Sequence, residues 1–372
     1  MGLYTSLMST PSARLLRRIE RDGPLPFAEF MDEALYGEGG YYATPRPRIG
    51  PAGDYVTGAS ISPLFGASTA RLLERLGERL GGDADLLEAG YGDGSHLEAV
   101  VAALAPGHRG RLLGWERVTR PLPAPVVDLP ALEAVAASRV RGLVFSYELF
   151  DALPFHRFRR AGDGWEELRV EARDGGFAWR RAPLSRPELS PLVEPYAELA
   201  QDGQIVDLAP AWTSLYARLA AALDAGLLVT CDYGFERHRL LDPRIRRHGT
   251  LACYRRHRVH RNPFVDVGRQ DITAHVDFSA LIAEGERAGL GTLGLVSQAE
   301  WLGACGVFDG LDRAAPGTRL EAARLLDPAA MGTEIRVLVQ AREVDAGGLF
   351  DLPLRAPRSA PAPARRGARA LS

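Results

Sequence analysis

The 372-residue chain predicts an α/β fold, a mainly parallel seven-stranded sheet with helices on both faces. Two observations carry that prediction. Four short apolar runs, within 85–88, 111–116, 142–148 and 227–232, each end in a carboxylate, and stretches of helical period lie between them. The first run passes through Glu88 into a turn with glycine at every second position, Gly90, Gly92 and Gly94. A helix then follows, with Leu97, Val100, Val101 and Leu104 spaced to share one face. Strand, glycine turn and helix make a nucleotide-binding corner, where backbone can pass close to a ligand and the helix N-terminus offers N–H groups to an anion.

Composition narrows the class. The hydrophobic fraction of 46% and charged fraction of 25% are those of a soluble globular protein. A net charge of −2 argues against a chain built to coat nucleic acid or an acidic membrane. All 45 basic residues are arginine. Cys231, Cys253 and Cys305, odd in number and widely spaced, suggest a reducing compartment and neither a disulfide framework nor a four-cysteine metal site. No apolar run approaches the ~20 residues of a membrane span, and no apolar signal core opens the chain, so the expectation is a cytoplasmic protein.

Two short helices are expected over 14–35, Asp22-Gly23-Pro24 separating them and Phe27, Phe30, Met31 and Leu35 facing inward in the second. A Gly/Pro-rich loop, 37–66, carries Tyr41, Tyr42 and Tyr55 and is too aromatic for a linker. Leucines 72, 76 and 80 mark a helix over 64–80 that leads into the glycine corner. The second strand ends at Glu116, where ribose hydroxyls of a bound nucleoside arrive in a doubly wound sheet. Residues 118–138 read as irregular, then a short helix. The third run brings Glu148 and Asp151 to the C-terminal end of a central strand, where they could steer a cation or accept a proton; Asp151 could equally cap the next helix.

Trp165, Leu168 and Val170, then Asp174-Gly175-Gly176, then Phe177 and Trp179 read as a hairpin within 156–200. A helix over 213–224, stopped by Gly226, precedes the strand that ends in Asp232-Tyr233-Gly234. Between Arg237 and Arg261 stand nine arginines and four histidines against one acid, Asp242. Base-stacking aromatics are nearly absent there, Tyr254 excepted, which favours a solvated loop over a nucleic-acid clamp. Cys253, His257 and His260 match no zinc spacing, so no metal is expected. A helix over 279–289, capped by Asp277 or Ser279, strands at 293–297 and 335–340, and a helix at 314–327 complete the core.

The spacing E-x-G-x-G-x-G differs by one residue from the dinucleotide pattern and resembles the first motif of S-adenosylmethionine (SAM) methyltransferases. With Gly53-Asp54-Tyr55-Val56-Thr57, Phe65-Gly66, Glu148-Leu149-Phe150-Asp151-Ala152-Leu153-Pro154, Asp232-Tyr233-Gly234 and the run from Gly249-Thr250-Leu251 to His275-Val276-Asp277-Phe278, the chain resembles the MidA family of SAM-dependent methyltransferases over about residues 14–341. Mitochondrial members of that family are complex I assembly factors with protein-arginine methyltransferase activity.

The resemblance implies a Rossmann-like class I methyltransferase fold, with a core from 61–155 and 206–341. An added α+β cap or lid would come from the acceptor-binding insertions 1–60, 156–205 and 236–275, and the tail 356–372 would be disordered. It implies S-adenosyl-L-methionine as cofactor, held by Thr57, Glu88, Gly90, Tyr91, Gly92, Gly94, Glu116 and Tyr147. Glu148 and Asp151 would be catalytic, and Asp232, Tyr233, His257 and His275 would meet the substrate. Three positions depart from the family: Tyr91 where it has proline, Tyr147 where it has asparagine, and Ser60 where it has a carboxylate. A protein arginine, a small-molecule oxygen or nitrogen, and a weakened scaffold that retains the fold therefore all stand as readings. A homodimer is open, and neither nucleic acid nor membrane is an expected partner.

Overall fold

The structure, a computed structural model, describes residues 10–44, 62–309, 311, 315–327 and 334–355. Seven strands of the main sheet are β1 (Asp85–Ala89), β2 (Leu112–Trp115), β3 (Val127–Asp128), β4 (Val140–Tyr147), β5 (Leu223–Phe235), β6 (Gly291–Ser297) and β7 (Ile335–Arg342). They lie in the order β3-β2-β1-β4-β5-β7-β6. All neighbours are parallel except at β7, which is antiparallel to both β5 and β6. An eighth, two-residue strand, Val276–Asp277, pairs with the end of β5. This is the α/β, Rossmann-like class I arrangement that the sequence predicts. The order reverses between β1 and β4, and the turns that leave these two strands open onto the crevice where such sheets hold ligands.

Alternation along the strands divides the core into two layers. Leu86, Leu143, Leu227 and Val337 face the helices Pro63–Leu80, Ser95–Ala103 and Gln298–Ala304, burying Leu72, Leu76, Leu97 and Trp301. Leu87, Val144, Leu228 and Leu338 face the other way, onto the helices Ala211–Ala222 and Phe278–Arg287. That second layer is continuous with an antiparallel sheet of Leu25–Pro26, His156–Ala161, Gly164–Arg173, Gly176–Ala182 and Ile205–Leu208. Phe27, Phe30, Phe155 and Phe158 seal the junction, all with essentially no exposure. A third sheet joins Ala252–Arg255 and Arg258–His260, from the arginine-rich stretch that reads as a solvated loop in the sequence, to Asp271–Thr273.

Local chemistry agrees with the element ends. Ser62 caps the helix that starts at Pro63, and the Asp277 side chain accepts from the backbone of Ser279 and Ala280, which decides between the two expected caps. Asp174 and Gly175 take left-handed φ of 52° and 74°, as a two-residue hairpin turn requires. Gly226 differs from expectation. It does not stop the preceding helix, because β5 already begins at Leu223. Instead it lies where β5 crosses close to β4: a Cβ there would sit 1.9 Å from the Gly142 carbonyl oxygen, and φ is 123°.

Gly226→Ala should therefore destabilise the fold by about 2–4 kcal/mol, through the clash and the backbone strain together. Urea unfolding followed by circular dichroism measures it, and a midpoint equal to that of the parent would refute the close approach.

Candidate active site

The glycine turn after β1 needs its glycines for geometry. Gly90, Gly92 and Gly94 have φ of 75°, 59° and 83°. A Cβ on Gly90 would stand 2.8 Å from Leu149 Cδ1, so the turn after β1 touches the turn after β4. Gly94 caps the following helix in the left-handed conformation and supplies no side-chain hydrogen bond to it. Glu116, at the end of β2, leans over the same turn. Its Oε2 accepts from the Gly92 N–H at 3.1 Å and its Oε1 from Val118 N–H at 3.3 Å, and burial holds its pKa above the usual carboxylate range.

Of the residues expected at the cofactor, Glu88, Tyr91 and Tyr147 are buried against protein partners. Glu88 is 2% exposed, and its Oε2 meets His96 Nδ1 at 2.8 Å. The other ring nitrogen of His96 meets Thr69 Oγ1 at 3.1 Å, and Thr69 donates to the Phe65 carbonyl. Tyr91 packs over Gly114, where a Cβ would be 2.9 Å from its ring. Its hydroxyl donates to the Arg120 carbonyl at 3.2 Å and accepts from the Arg120 N–H at 3.1 Å. The phenol thus anchors the segment after β2. Tyr147, also buried, donates to Gln298 Oε1 at 2.6 Å. Thr57 lies outside the described residues.

Glu148 occupies a strained corner: φ is 48°, in the left-handed region that disfavours a side chain. Five anchors from distant segments hold it and the turn that follows. The Glu148 N–H donates to the Cys231 carbonyl at 2.9 Å. The Leu149 and Phe150 N–H groups donate to Asp232 Oδ2 at 3.1 and 2.8 Å. Trp212 Nε1 donates to the Phe150 carbonyl at 2.8 Å, the Ala274 N–H to the Asp151 carbonyl at 3.0 Å, and the Tyr36 hydroxyl to the Ala152 carbonyl at 3.1 Å.

Around this turn gather four carboxylates. Burial raises the pKa of Glu148 well above its ordinary value, and the charges of Asp232 and Asp271 push it further. Asp151 is raised well above its ordinary value by burial and then by Asp232, Glu148 and Asp271. Burial takes Asp232 up to about 7, against the opposing pull of its backbone donors. Glu148 Oε1 is shut off from solvent and has no hydrogen-bond partner. Tyr233 and Tyr254 both feel the charges of Glu148 and Asp151, and burial raises both phenols, Tyr254 to about 12. Tyr42 donates to Asp271 Oδ1 at 2.9 Å and stacks on Tyr36, over which the Arg117 guanidinium lies. Among the described residues no cluster of three or more metal-binding side chains forms, and no helix is long and apolar enough to cross a membrane.

The structure gathers Glu148, Asp151 and Tyr233 about one turn and sets the other expected substrate residues apart from it. Asp232 is fully buried beneath the turn, its oxygens given to the backbone N–H groups of residues 149, 150 and 233, so it supports the site rather than lining it. His257 sits exposed at the tip of the hairpin between Ala252–Arg255 and Arg258–His260, with φ of 58°, away from any acceptor. His275 lines a separate pocket. Asp271 and Tyr36 were missed as site residues, the one being a single acid inside a long motif and the other a helix residue. The Tyr41-Tyr42 doublet was the one signal available for that wall.

A family model described as putative S-adenosyl-L-methionine-dependent methyltransferase matches residues 119–296. The chain is 30% identical to a likely methyl transferase from Burkholderia thailandensis, crystallised with S-adenosyl-homocysteine, with a TM-score of 0.80 and coverage of 90% of this chain and 92% of that one. The chain belongs to this family of SAM-dependent methyltransferases. It is also 27% identical to the mitochondrial protein arginine methyltransferase NDUFAF7 homolog of Drosophila melanogaster, over 92% of this chain and 87% of that protein. The Homo sapiens protein arginine methyltransferase NDUFAF7 is 26% identical over 76% of this chain and 71% of its own length. The methyltransferase's residues fit its cofactor: a turn of left-handed glycines, the start of the Ser95 helix and the Glu116 carboxylate meet at one crevice.

Tyr91→Phe should cost about 1 kcal/mol by removing the hydroxyl that both donates to and accepts from Arg120. Thermal unfolding reads it, and an unchanged midpoint would show that the anchor carries no stability.

Proposed function

We propose that this methyltransferase transfers the methyl group to the guanidinium of an arginine in a protein segment. The observation that carries this is the Glu148 carboxylate: it is held in a strained corner with one sealed oxygen lacking a partner, among three further acids. A buried acceptor oxygen without a donor costs roughly 1–3 kcal/mol, and a planar guanidinium with five N–H groups is the side chain best shaped to fill it. Tyr36, Tyr42, Tyr233 and Tyr254 give that cation an aromatic wall. The printed names of the relatives from Drosophila melanogaster and Homo sapiens support the same acceptor.

S-adenosylmethionine supplies a methyl carbon made electrophilic by its sulfonium. The backbone of Gly90, Gly92 and Gly94, lacking side chains, would let its amino-acid part pass close at the start of the Ser95 helix, and Glu116 would meet its ribose hydroxyls. Glu88 and Tyr91 support that cradle from behind. On the acceptor side, Glu148 and Asp151 orient the guanidinium so that one nitrogen faces the methyl carbon. As the C–N bond forms and the C–S electron pair returns to sulfur, that nitrogen gives its proton to the nearer carboxylate. Rate comes chiefly from alignment and from excluding water. A cytoplasmic setting remains our reading, supported by the free thiols of the buried Cys231, Cys253 and Cys305.

Incubating the protein with methyl-labelled SAM and arginine peptides, with mass spectrometry for methylarginine, tests the acceptor. Label travelling with small molecules instead would overturn it. Glu148→Gln should lower turnover by about a hundredfold or more while leaving calorimetric affinity for S-adenosylhomocysteine unchanged.

The pH dependence has a definite sign. Carboxyls whose folded pKa is raised stabilise the fold below their unfolded value of about 4, and lose that contribution as pH rises through about 7, the folded value for Asp232. A cation binds the ionised forms. The KM for an arginine peptide should therefore fall as pH rises through the raised pKa values of Glu148 and Asp151, and a flat profile would remove the carboxylates from acceptor binding.

A further inference from the structure

A second cavity, of about 420 Å³, opens in the arginine-rich segment, bounded by Arg246, Thr250, Ala252, His260, Arg261 and His275. Its charge is of one sign, since no Asp or Glu is among the residues that line it. Arg246 lies over the Phe235 ring at 4.4 Å and donates to the Arg239 carbonyl at 3.3 Å. Among the described residues, neither Arg246 nor Arg261 has a carboxylate within ion-pair distance. The cavity thus presents at least two guanidinium groups, and the acid beneath its wall, Asp207, which accepts from the Thr250 and Leu251 N–H groups, is paired with Arg157.

An independent observation points to a ligand. His275 Nδ1 is shut off from solvent and has no hydrogen-bond partner. The same residue's backbone N–H donates to Thr250 Oγ1 at 3.1 Å, which fixes the histidine against the pocket wall. Burial, then the charges of Arg246 and Arg261, lower its pKa to about 4, so the ring is neutral near pH 7 and offers one N–H to an incoming acceptor. Two arginines and a neutral imidazole form a donor set suited to a carboxylate or another oxyanion.

The pocket adjoins the acids. Ala274, next to His275, donates its N–H to the Asp151 carbonyl. Ala252, on the pocket wall, pairs with Thr273 in the strand register, and Tyr254, two residues along the same strand, senses the charge of Asp151 and Glu148. Residues two apart on a strand share a face, so the basic pocket beside Ala252 and the acids that Tyr254 senses lie along one face of a single short sheet. Each is destabilised by its own like charges, and each is relieved by a group of opposite sign.

We propose that this pocket receives a carboxylate side chain of the acceptor segment, a few residues from the arginine that is methylated. The inference rests on the arginine-acceptor reading and adds to it a sequence preference for an acid beside the arginine. The four carboxylates select the cation and the Arg246–Arg261 pocket selects the flanking anion, so a segment carrying only one of the two charges binds less well.

Peptides with one arginine and a single glutamate, moved from one to five residues on either side, test this against their glutamine counterparts. At one or two positions the glutamate should raise kcat/KM about tenfold, through KM, which is the effect of one charge-assisted contact. Arg261→Gln should erase the difference, and Arg261→Glu should reverse it in favour of lysine at that position. Both variants should bind S-adenosylhomocysteine as the parent does, which shows that they are folded. Inorganic phosphate should inhibit methylation of the glutamate peptide and spare the glutamine peptide. Equal kinetics for glutamate and glutamine at every position, with arginine methylated in both, would overturn this inference and leave the acceptor reading standing. Phosphate inhibiting both peptides alike would assign the pocket to a free anion and overturn it too. If no arginine peptide is methylated, the acceptor reading fails and the inference falls with it.

Discussion

The Asp232 carboxylate is the interaction on which the site depends. It lies at the end of β5, fully buried, and accepts from the N–H groups of Leu149 and Phe150 in the turn after β4. Those donors would otherwise be buried without partners, since the turn belongs to neither a helix nor a strand. The carboxylate also closes the corner in which Glu148 takes a left-handed φ that a side chain normally avoids. The strain persists because the corner is over-determined, by β5, by Trp212, by Tyr36 and by Ala274. An acid that supports the turn thereby also raises the proton affinity of the acids the turn presents.

The second constraint is the close passage of backbone at the switch point. Gly90 lets the turn after β1 lie against Leu149, so the cofactor side and the acceptor side of the crevice are one packed unit. Gly226 lets β5 lie close to β4, and Gly142 lets β4 lie close to β1, where an added Cβ would stand 2.2 Å from the Asp85 carbonyl oxygen. Tyr91 shows how the family pattern can be varied without disturbing this. Its ring fills the space over Gly114, and its hydroxyl ties down the segment after β2. The departure that first suggests altered chemistry is thus a change of scaffold, on the side of the turn away from the acids.

Charge is arranged with the same economy. The chain carries almost no net charge, yet its acids and arginines are segregated around one small sheet. Asp271, in one strand of that sheet, faces the tyrosines of the acceptor wall through Tyr42, while His275 and Arg261, just beyond its strands, face the basic pocket. Segregation of this kind is invisible in composition, where the two signs cancel.

The fold was legible in the sequence because its signals are local. Apolar runs ending in acids, glycines at alternate positions and leucines at helical spacing each arise within a few residues, and the strand order follows from the right-handed crossovers those elements impose. Glu148, Asp151 and Glu116 were legible for the same reason, each standing at the end of a strand. What only the tertiary structure decided is which way a side chain faces. Glu88 turns to His96, Asp232 turns under the site, His257 is carried out on a hairpin tip, and Asp271 comes in from about 120 residues downstream of Asp151. Each of these outcomes is set by partners far away in the chain, whose hydrogen bonds and packing a linear pattern does not encode. The sequence by itself determined where the crevice would form; packing decided which of its carboxylates would be spent on holding it together and which would be left facing it.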